Sequence, residues 1–158
     1  MESRDHVHNY RYQVFLLTPK IKKVRVVFIQ KSSLWCSMPV DCPEGSPDFI
    51  NAAVALDPPE GETPGSLLVK LQALEVQFGR QPKAIPNEPR PLDLDLLAFG
   101  AEQRGAQNLT LPHPRFHQRR FVLEPMNQIA PDLTLPGQTL SVNQLLTNLD
   151  TDESLSRL

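Results

Sequence analysis

The sequence feature that most constrains the fold is residues 90–100, which read Arg-Pro-Leu-Asp-Leu-Asp-Leu-Leu-Ala-Phe-Gly. Apolar and acidic residues alternate there at a period of two, which predicts a β-strand with Asp93 and Asp95 on one face. The two positions would lie ~7 Å apart along the chain. Two carboxylates at such a short separation repel each other unless a cation or solvent screens their charges. The apolar residues 96–99 predict a buried strand end, and Arg90 places a positive charge at the start.

This acidic pair allows two interpretations. It could be the solvated face of an edge strand, because aspartate is depleted in buried strands. It could instead be a partly buried pair beside an arginine, which suits oxygen-ligated Mg²⁺ and a phosphate chain. The apolar flank and Arg90 favour the second interpretation, so the pair is the best site candidate in the sequence.

Length and composition limit the class of protein. A chain of 158 residues suffices for one domain with one sizeable core. The net charge of −2 gives no general attraction to nucleic acid or anionic membranes, so phosphate binding must be local. Cys36 and Cys42 have no second cysteine pair and no secretory segment beside them, so we interpret them as free cytosolic thiols. No apolar run approaches the ~20 residues of a membrane helix, and we expect a cytoplasmic protein.

Two β-rich segments come before the acidic strand. Residues 24–29 predict a strand that continues toward Trp35, and residues 48–56 predict a second strand, antiparallel to the first if residues 36–47 form a wide loop. Asn51 lies in the second apolar run, and a buried amide must find hydrogen-bond partners. Those partners could be neighbouring backbone groups or the edge of a heterocyclic ligand.

A helix is predicted between these segments and the acidic strand. Thr63 and Pro64 are typical of a cap and a first helical position, and Gly79 is a suitable end. Gln72 and Glu75 share one side of this helix, either as a solvated polar face or as part of a site. The predicted apolar stripe that packs on the sheet consists of Leu67, Leu71, Leu74 and Phe78.

The proline-rich residues 80–91 predict an extended loop with Arg80 and Arg90 at its ends. Arginines there could clamp a polyphosphate, or they could simply pair with the acids. Residues 109–111 predict a short strand. A helix should follow with Pro114 in its first turn. His113 and His117 could then bind zinc if both were helical, although Pro114 indicates that His113 precedes the helix.

The two ends of the chain carry weaker signals. Residues 1–23 show no lasting period, and the His6-x-His8 pair could bind a metal or could be part of a frayed terminus. Ser141 and Gln144 fit a capping box for a last helix that ends at 149. Residues 150–158 read as a polar tail. We therefore divide the chain into an atypical segment 1–23, a domain 24–149 and the tail 150–158.

Six blocks together resemble one family over about residues 32–158: S-S-L-W-C-S-M-P-V, P-D-F-I-N-A-A-V-A-L, L-E-V-Q-F-G-R, P-R-P-L-D-L-D-L-L-A-F-G, L-P-H-P-R-F and R-R-F-V-L-E-P. The family is 6-hydroxymethyl-7,8-dihydropterin pyrophosphokinase. The resemblance implies an α+β fold in α/β/α layers: an antiparallel, ferredoxin-like sheet with helices on both faces. It also implies transfer of pyrophosphate from ATP to 6-hydroxymethyl-7,8-dihydropterin, with release of AMP, in folate biosynthesis.

The resemblance also implies site residues. Asp93 and Asp95 match the carboxylates that bind two Mg²⁺ ions, and Arg80 and Arg90 match arginines of a mobile loop that closes over the phosphates. Positions that line the nucleotide site are Gln72, Glu75, Arg90, Leu96, Thr110, His113 and Arg119. Positions that bind the pterin are Ser37, Met38, Val40, Phe49, Asn51 and Phe121. The implied partners are these two small molecules, and the implied state is a monomer.

The start of the chain departs from the family pattern. The family begins with a strand ending in G-S-N-x-G and then a helix, whereas no such motif precedes Ser32. Either the chain lacks a central strand, or residues 12–17 supply it; we expect residues 1–23 to pack poorly. The segment could be a start that is not native to the family, or the chain could be a real variant. Pro82, Pro86 and Asn87 also depart from common loop residues. A catalytically impaired remnant that binds nucleotide or pterin is therefore the alternative function, and a purely structural module explains none of the retained residues.

Overall fold

The computed structural model describes residues 11–18, 30–39, 45–81 and 90–158. It confirms the α+β class with a ferredoxin-like mixed sheet and helices on both faces. The strands are β1 (Arg11–Thr18), β2 (Gln30–Lys31), β3 (Trp35–Ser37), β4 (Phe49–Ala55), β5 (Leu92–Phe99), β6 (Arg104–Ala106), β7 (Leu109–Leu111) and β8 (Leu155–Arg157). The helices are α1 (Pro64–Gln77), α2 (Arg120–Ile129) and α3 (Val142–Asn148), with a 3₁₀ turn at Phe116–Gln118.

The main sheet has the strand order β5-β1-β4-β3-β8, with β2 also paired to β4. The pairs β2–β4 and β3–β4 are antiparallel, as expected, and so is the pair of β3 with β8, a strand that the sequence did not predict. In contrast, β1 runs parallel to both of its neighbours, β4 and β5. The six sequence blocks begin at about residue 32, so they carry no information on the direction of β1. A separate two-stranded sheet pairs β6 with β7.

The expectation of poor packing at the start of the chain is wrong for residues 11–18. These residues form β1, which lies between β4 and β5 in the sheet. Phe15, Leu16 and Leu17 are all buried. Side chains alternate between the two faces of a strand, so this apolar run contacts the layers on both sides. Residues 12–17 therefore supply the central strand, which was the second of the two alternatives drawn from the sequence.

Each face of the sheet buries its own apolar cluster. On one face, Phe15 and Ala53 pack with α2 residues such as Leu123 and with Val142 of α3. On the other face, Leu16 packs with the α1 face and with β7; this cluster contains Leu16, Leu67, Leu71, Leu96, Leu109 and Leu111. The functional candidates are divided between these two faces.

Helix α1 begins and ends as predicted but turns a different face to the sheet. Thr63 caps it, with a reciprocal capping box to Ser66, and Gly79 follows its end with a φ of +96°. Leu74 and Phe78 are exposed, so the predicted stripe is wrong at these two positions. The buried positions of the helix are Pro64, Leu67, Leu71 and Glu75.

The last third of the chain differs from prediction in two places. Pro114 precedes the 3₁₀ turn, and α2 begins only at Arg120, so Pro114 is not in its first turn. Residues 155–157 are not a tail but form β8, which pairs with β3. The Ser141 capping box at α3 is confirmed, because Ser141 and Gln144 hydrogen-bond each other's backbone.

Several expectations lie outside the described residues. They are the strand at 24–29, the His6-x-His8 pair, Val40, Cys42 and the loop departures at Pro82, Pro86 and Asn87. Within the described part, α1 is the longest helix at 14 residues, and no helix is long and apolar enough to cross a membrane.

Candidate active site

The two aspartates lie on the face of the sheet that packs against α2. In the pairing of β1 with β5, Gln13 is opposite Asp93 and Phe15 is opposite Asp95. Paired residues of neighbouring strands point to the same side, and Phe15 belongs to the α2 cluster. The Asp93 carboxylate accepts a hydrogen bond from the Arg90 guanidinium at 3.1 Å and remains 31% exposed. The predicted acidic face therefore points toward a charged, partly open region.

Asp95 is largely buried, and its surroundings disfavour the ionised carboxylate. Burial and, next, the neighbouring Asp93 charge raise its pKa from 3.8 to about 6, against the opposite effect of Arg119. Both raising effects penalise the ionised form. A cation placed between the two carboxylates would relieve them. The donor set therefore fits a divalent cation that prefers oxygen ligands.

Glu75 connects α1 to the strand that carries the aspartates. It is 2% exposed, and its Oε1 accepts the Leu94 N–H at 2.8 Å, at the position between Asp93 and Asp95. Its other carboxylate oxygen pairs with Arg80. The interpretation of a solvated face is therefore wrong for Glu75, whereas Gln72 on the same helix is exposed. Arg90 pairs with Asp93, which is the second alternative drawn from the sequence, whereas Arg80 pairs with Glu75 of α1 instead of with either aspartate.

Arg119 and His113 add further groups around the carboxylates. Arg119 immediately precedes α2, and its charge acts on both Asp95 and His113. Burial lowers the pKa of His113, and the charges of Arg119 and Arg115 lower it further. The backbone N–H of His113 donates to the Leu97 carbonyl at 2.8 Å, and this hydrogen bond holds His113 against β5. A neutral imidazole and a guanidinium therefore lie near the aspartates.

A buried amide forms the second part of the site. Asn51 of β4 is fully buried, and its Nδ2 donates to Ser37 Oγ at 2.8 Å and to the Trp35 carbonyl at 3.2 Å. Among the described residues, no partner satisfies its Oδ1. A buried acceptor without a partner is unfavourable unless a ligand or water donates to it. Phe49 lies two residues earlier on the same face of β4. The Arg11 guanidinium lies over its ring, 5.4 Å from the ring centre.

Strand β1 joins the two parts of the site, a role that no sequence motif predicted. Gln13 is paired with Asp93 on one side and with Asn51 on the other, so it lies between the acidic pair and the buried amide. Phe15 is likewise opposite Asp95, and its ring centre is 6.1 Å from that of Phe121. The run at residues 12–17 had no period that would have marked Gln13.

Comparison with known proteins places this geometry in a family. Residues 4–131 match the profile of 7,8-dihydro-6-hydroxymethylpterin-pyrophosphokinase. The chain belongs to this family. The match starts well before residue 32 and therefore includes β1, which the six sequence blocks did not cover.

Two curated relatives are named as pyrophosphokinases, and a third is named as a folate synthesis protein. The 2-amino-4-hydroxy-6-hydroxymethyldihydropteridine pyrophosphokinase of Synechocystis sp. is 41% identical over 108 residues, covering 66% of this chain and 52% of the relative. The Pseudomonas aeruginosa protein of that name is 38% identical over 117 residues, covering 74% and 68%. The mitochondrial folate synthesis bifunctional protein of Pisum sativum is 33% identical over 122 residues, covering 77% and 22%. The matched region thus spans about half of the Synechocystis relative.

The remaining predicted residues are dispersed. Leu96 is buried in the α1 cluster, which places it on the other face from the aspartates. Thr110 is exposed on β7, and Met38 is exposed just after β3. Val40 lies outside the described residues. The geometry thus groups Asp93 and Asp95 with Arg90, Arg119 and His113, and it groups Asn51 with Ser37. It does not bring the side chains of Leu96, Thr110 and Met38 to them.

His113 and His117 line one cavity of about 390 Å³, and neither Asp93 nor Asp95 is among its lining residues. His113 Nδ1 accepts the Arg115 N–H at 3.3 Å, so this nitrogen is not available to a metal. His117 Nε2 lies 3.3 Å from the Gln118 amide. Within the described part of the chain, no group of three His, Cys, Asp or Glu side chains converges. The histidine pair therefore has no further ligand there to complete a zinc site.

Proposed function

We propose that the chain transfers pyrophosphate from ATP to 6-hydroxymethyl-7,8-dihydropterin in folate synthesis. Family membership and the names of its relatives support this reaction. The observation that carries it is the row Asp93, Gln13 and Asn51 across three neighbouring strands. This row has the Asp93 carboxylate and an unsatisfied buried amide oxygen on one face of the sheet, and Asp95 shares that face two residues further along β5.

Asp93 and Asp95 are the groups that would hold two Mg²⁺ ions. The fit rests on their shared face and on the raised pKa of Asp95, since a bound cation relieves both burial and mutual repulsion. Bound Mg²⁺ supplies charge neutralisation of the triphosphate. Arg90 pairs with Asp93 in this structure, and it would exchange this partner for phosphate oxygens when ATP binds.

The nucleotide would be held by groups from several elements. Arg80, Arg90 and Arg119 supply positive charge for the phosphates, and the neutral His113 supplies a hydrogen-bonding ring. Glu75 would position these groups without contacting the nucleotide, because it accepts the Leu94 N–H and pairs with Arg80. The family resemblance, rather than the geometry, is the ground on which we also propose Gln72, Leu96 and Thr110 as nucleotide-lining residues.

The pterin would bind at Asn51. Its unpartnered Oδ1 would accept an N–H from the amino-pyrimidinone edge, while Ser37 and the Trp35 carbonyl fix the amide by accepting from Nδ2. Phe49 and Phe121 would stack on the flat ring. Met38 and Val40, on the segment after β3, complete the set of proposed pterin contacts.

The reaction needs the pterin alcohol and the ATP β-phosphorus in line. The alcohol oxygen forms a bond to that phosphorus, the bond between it and the α,β-bridging oxygen breaks, and AMP leaves while the alcohol proton is released. Catalysis would come mainly from positioning and charge stabilisation by the chain. The residues that set this position are those of the row across β5, β1 and β4.

The test is AMP release by the purified chain with ATP, Mg²⁺ and the hydroxymethyl dihydropterin, against a reaction without pterin. We expect pterin-dependent AMP. Asp95→Ala should lower turnover by at least about 100-fold, because it removes a metal ligand. Asp132→Ala, at an exposed position outside the site, is the matched control. Near wild-type turnover in Asp95→Ala would refute the metal role.

One observation favours the alternative of an impaired remnant. The Arg11 guanidinium covers the Phe49 ring at 5.4 Å, where the pterin would stack, so pterin binding would have to displace it. A remnant would bind ATP with Mg²⁺ and release no AMP when pterin is added. An active enzyme would bind ATP in a Mg²⁺-dependent manner, and bound ATP would promote pterin binding.

We further propose that the chain acts as a cytoplasmic monomer on these two small molecules, without nucleic acid or membrane partners. The weak net charge of −2 supports the absence of nucleic-acid binding. Size-exclusion chromatography with light scattering measures the oligomeric state directly. A stable dimer at micromolar concentration would contradict the monomer.

A further inference from the structure

Helix α2 begins without a cap of its own. Its N-cap residue, Arg119, makes no side-chain cap hydrogen bond, and its first turn contains no acidic residue. The first N–H groups of a helix have no partner inside the helix, and they attract negative charge. Glu153, which is distant in the sequence, supplies both a hydrogen-bond acceptor and a negative charge. Glu153 Oε2 accepts the N–H of Arg120 at 2.8 Å and that of Phe121 at 3.4 Å.

Glu153 belongs to residues 150–158, here called the C-terminal strap. Two residues after Glu153 the strap becomes β8, which pairs with β3 and places Leu155 opposite Ser37. The Leu158 N–H adds a hydrogen bond to the Leu34 carbonyl at 2.9 Å. The strap therefore links the start of α2, where Phe121 lies, to the strand that holds Asn51 through Ser37.

The contacts around Glu153 define how it acts. The Arg120 guanidinium is paired with Glu124 at 3.1 Å, and Glu153 contacts α2 through the backbone N–H groups of Arg120 and Phe121. The Glu153 N–H donates to Thr151 Oγ1 at 3.2 Å, which fixes the turn of the strap before β8. Glu153 is half-buried, whereas its neighbour Asp152 is exposed.

We propose that Glu153 is a positioning residue of the pterin site. By capping α2, it fixes the start of the helix and with it the ring of Phe121, which packs 6.1 Å from Phe15. By continuing into β8, the strap fixes the distance from that ring to the opposite wall at Ser37 and Asn51. The family match ends at residue 131, so the strap lies outside it. The proposal rests on the pterin site proposed above.

The experiment measures the affinity of full-length variants for the hydroxymethyl dihydropterin, with Mg²⁺ and a non-hydrolysable ATP analogue present. In Glu153→Ala we expect the pterin dissociation constant and KM to rise about tenfold, because the start of α2 and the Phe121 ring are then no longer held in the binding position. The affinity for the ATP analogue and kcat at saturating pterin should change by less than about threefold, since the acidic pair is untouched. Amide exchange at Arg120 and Phe121 should accelerate.

Three further variants separate positioning from a general loss of structure. Glu153→Gln keeps an oxygen that can accept both N–H groups and should retain pterin affinity, as should Asp152→Ala. Thr151→Val removes only the hydroxyl that orients Glu153; it should weaken pterin binding two- to threefold and serves if Glu153→Ala does not fold. Unchanged pterin affinity in Glu153→Ala or Thr151→Val, or equal losses for both ligands, would overturn the proposal. Wild-type chain that binds the nucleotide but no pterin would instead refute the pterin site itself.

Discussion

Two requirements on the charge of Asp95 oppose each other. A metal site needs this carboxylate ionised, whereas burial and the Asp93 charge make ionisation unfavourable and raise its pKa from 3.8 to about 6. Between these two values the folded chain holds a proton that the unfolded chain has lost. The free energy of unfolding therefore falls as the pH rises through this window, and the stability present below pH 3.8 is lost above pH 6.

The first prediction concerns Asp95→Asn without metal. Above pH 6 this variant lacks the ionisation penalty, which is on the order of 2 kcal/mol. At pH 7.5 in EDTA its melting temperature should exceed that of the wild type by several degrees. At pH 4 the difference should shrink toward zero, because wild-type Asp95 is then protonated when folded. Differential scanning fluorimetry at the two pH values measures this difference.

The control for Asp95 is Asp132→Asn, an exposed aspartate outside the site, which should leave the melting temperature unchanged at both pH values. Mg²⁺ should then stabilise the wild type at pH 7.5 and have little effect on Asp95→Asn, since ligand binding to the folded state raises stability. A melting temperature of Asp95→Asn equal to wild type at pH 7.5 would show that the carboxylate pair is not strained.

At the scale of elements, the site depends on how α1 is attached to β5. Strand β5 lies at the end of the sheet order, so its outer edge has N–H groups without a neighbouring strand in the described sheet. Glu75 satisfies one of them, at Leu94, and at the same time pairs with Arg80. A single buried carboxylate thus sets the helix against the strand that carries both aspartates.

Glu75→Ala should therefore destabilise the chain by about 2–4 kcal/mol, because it leaves a strand N–H and a partly buried guanidinium without their partner. Glu75→Gln keeps an oxygen for the Leu94 N–H and should lose less. Gln77→Ala, on the exposed end of the same helix, is the control and should change stability by about 0.5 kcal/mol or less. Urea denaturation compares the three variants; equal stability of Glu75→Ala and Gln77→Ala would contradict this role.

The elements also show what sequence could and could not predict. The acidic strand, the Thr63 cap, Gly79 and the Ser141 capping box are local signals, and the structure confirms each. The burial of Glu75 depends on Leu94, 19 residues away, and the cap by Glu153 depends on a helix 33 residues earlier. Spacing along one element carries no information on such distant partners.

At the scale of the whole molecule, the sheet depends on a strand from the part of the sequence with the weakest signal. Strand β1 separates β4 from β5 and contributes side chains to the clusters on both faces. It also carries Gln13, which lies between the acidic pair and Asn51. If β1 were absent, the acidic pair and Asn51 would lose the strand that joins them.

The last prediction tests this dependence with two Phe→Ala changes. Phe15 on β1 is 1% exposed, and Phe78 after α1 is 63% exposed. Phe15→Ala should lower the free energy of unfolding by about 3–5 kcal/mol, because it leaves a cavity between the sheet and α2. Phe78→Ala should change it by about 0.5 kcal/mol or less. Urea denaturation with a common slope measures both values.

Phe15→Ala reports on the site as well as on stability, because Phe15 is opposite Asp95 and packs on Phe121. A loss of 3–5 kcal/mol is a large part of the ~5–15 kcal/mol that holds a domain folded, so the two parts of the site would separate as the fold weakens. If instead Phe15→Ala were as stable as Phe78→Ala, β1 would not be integrated into the sheet. The acidic pair and Asn51 would then lack a common support, and the impaired remnant would become the better account of the chain.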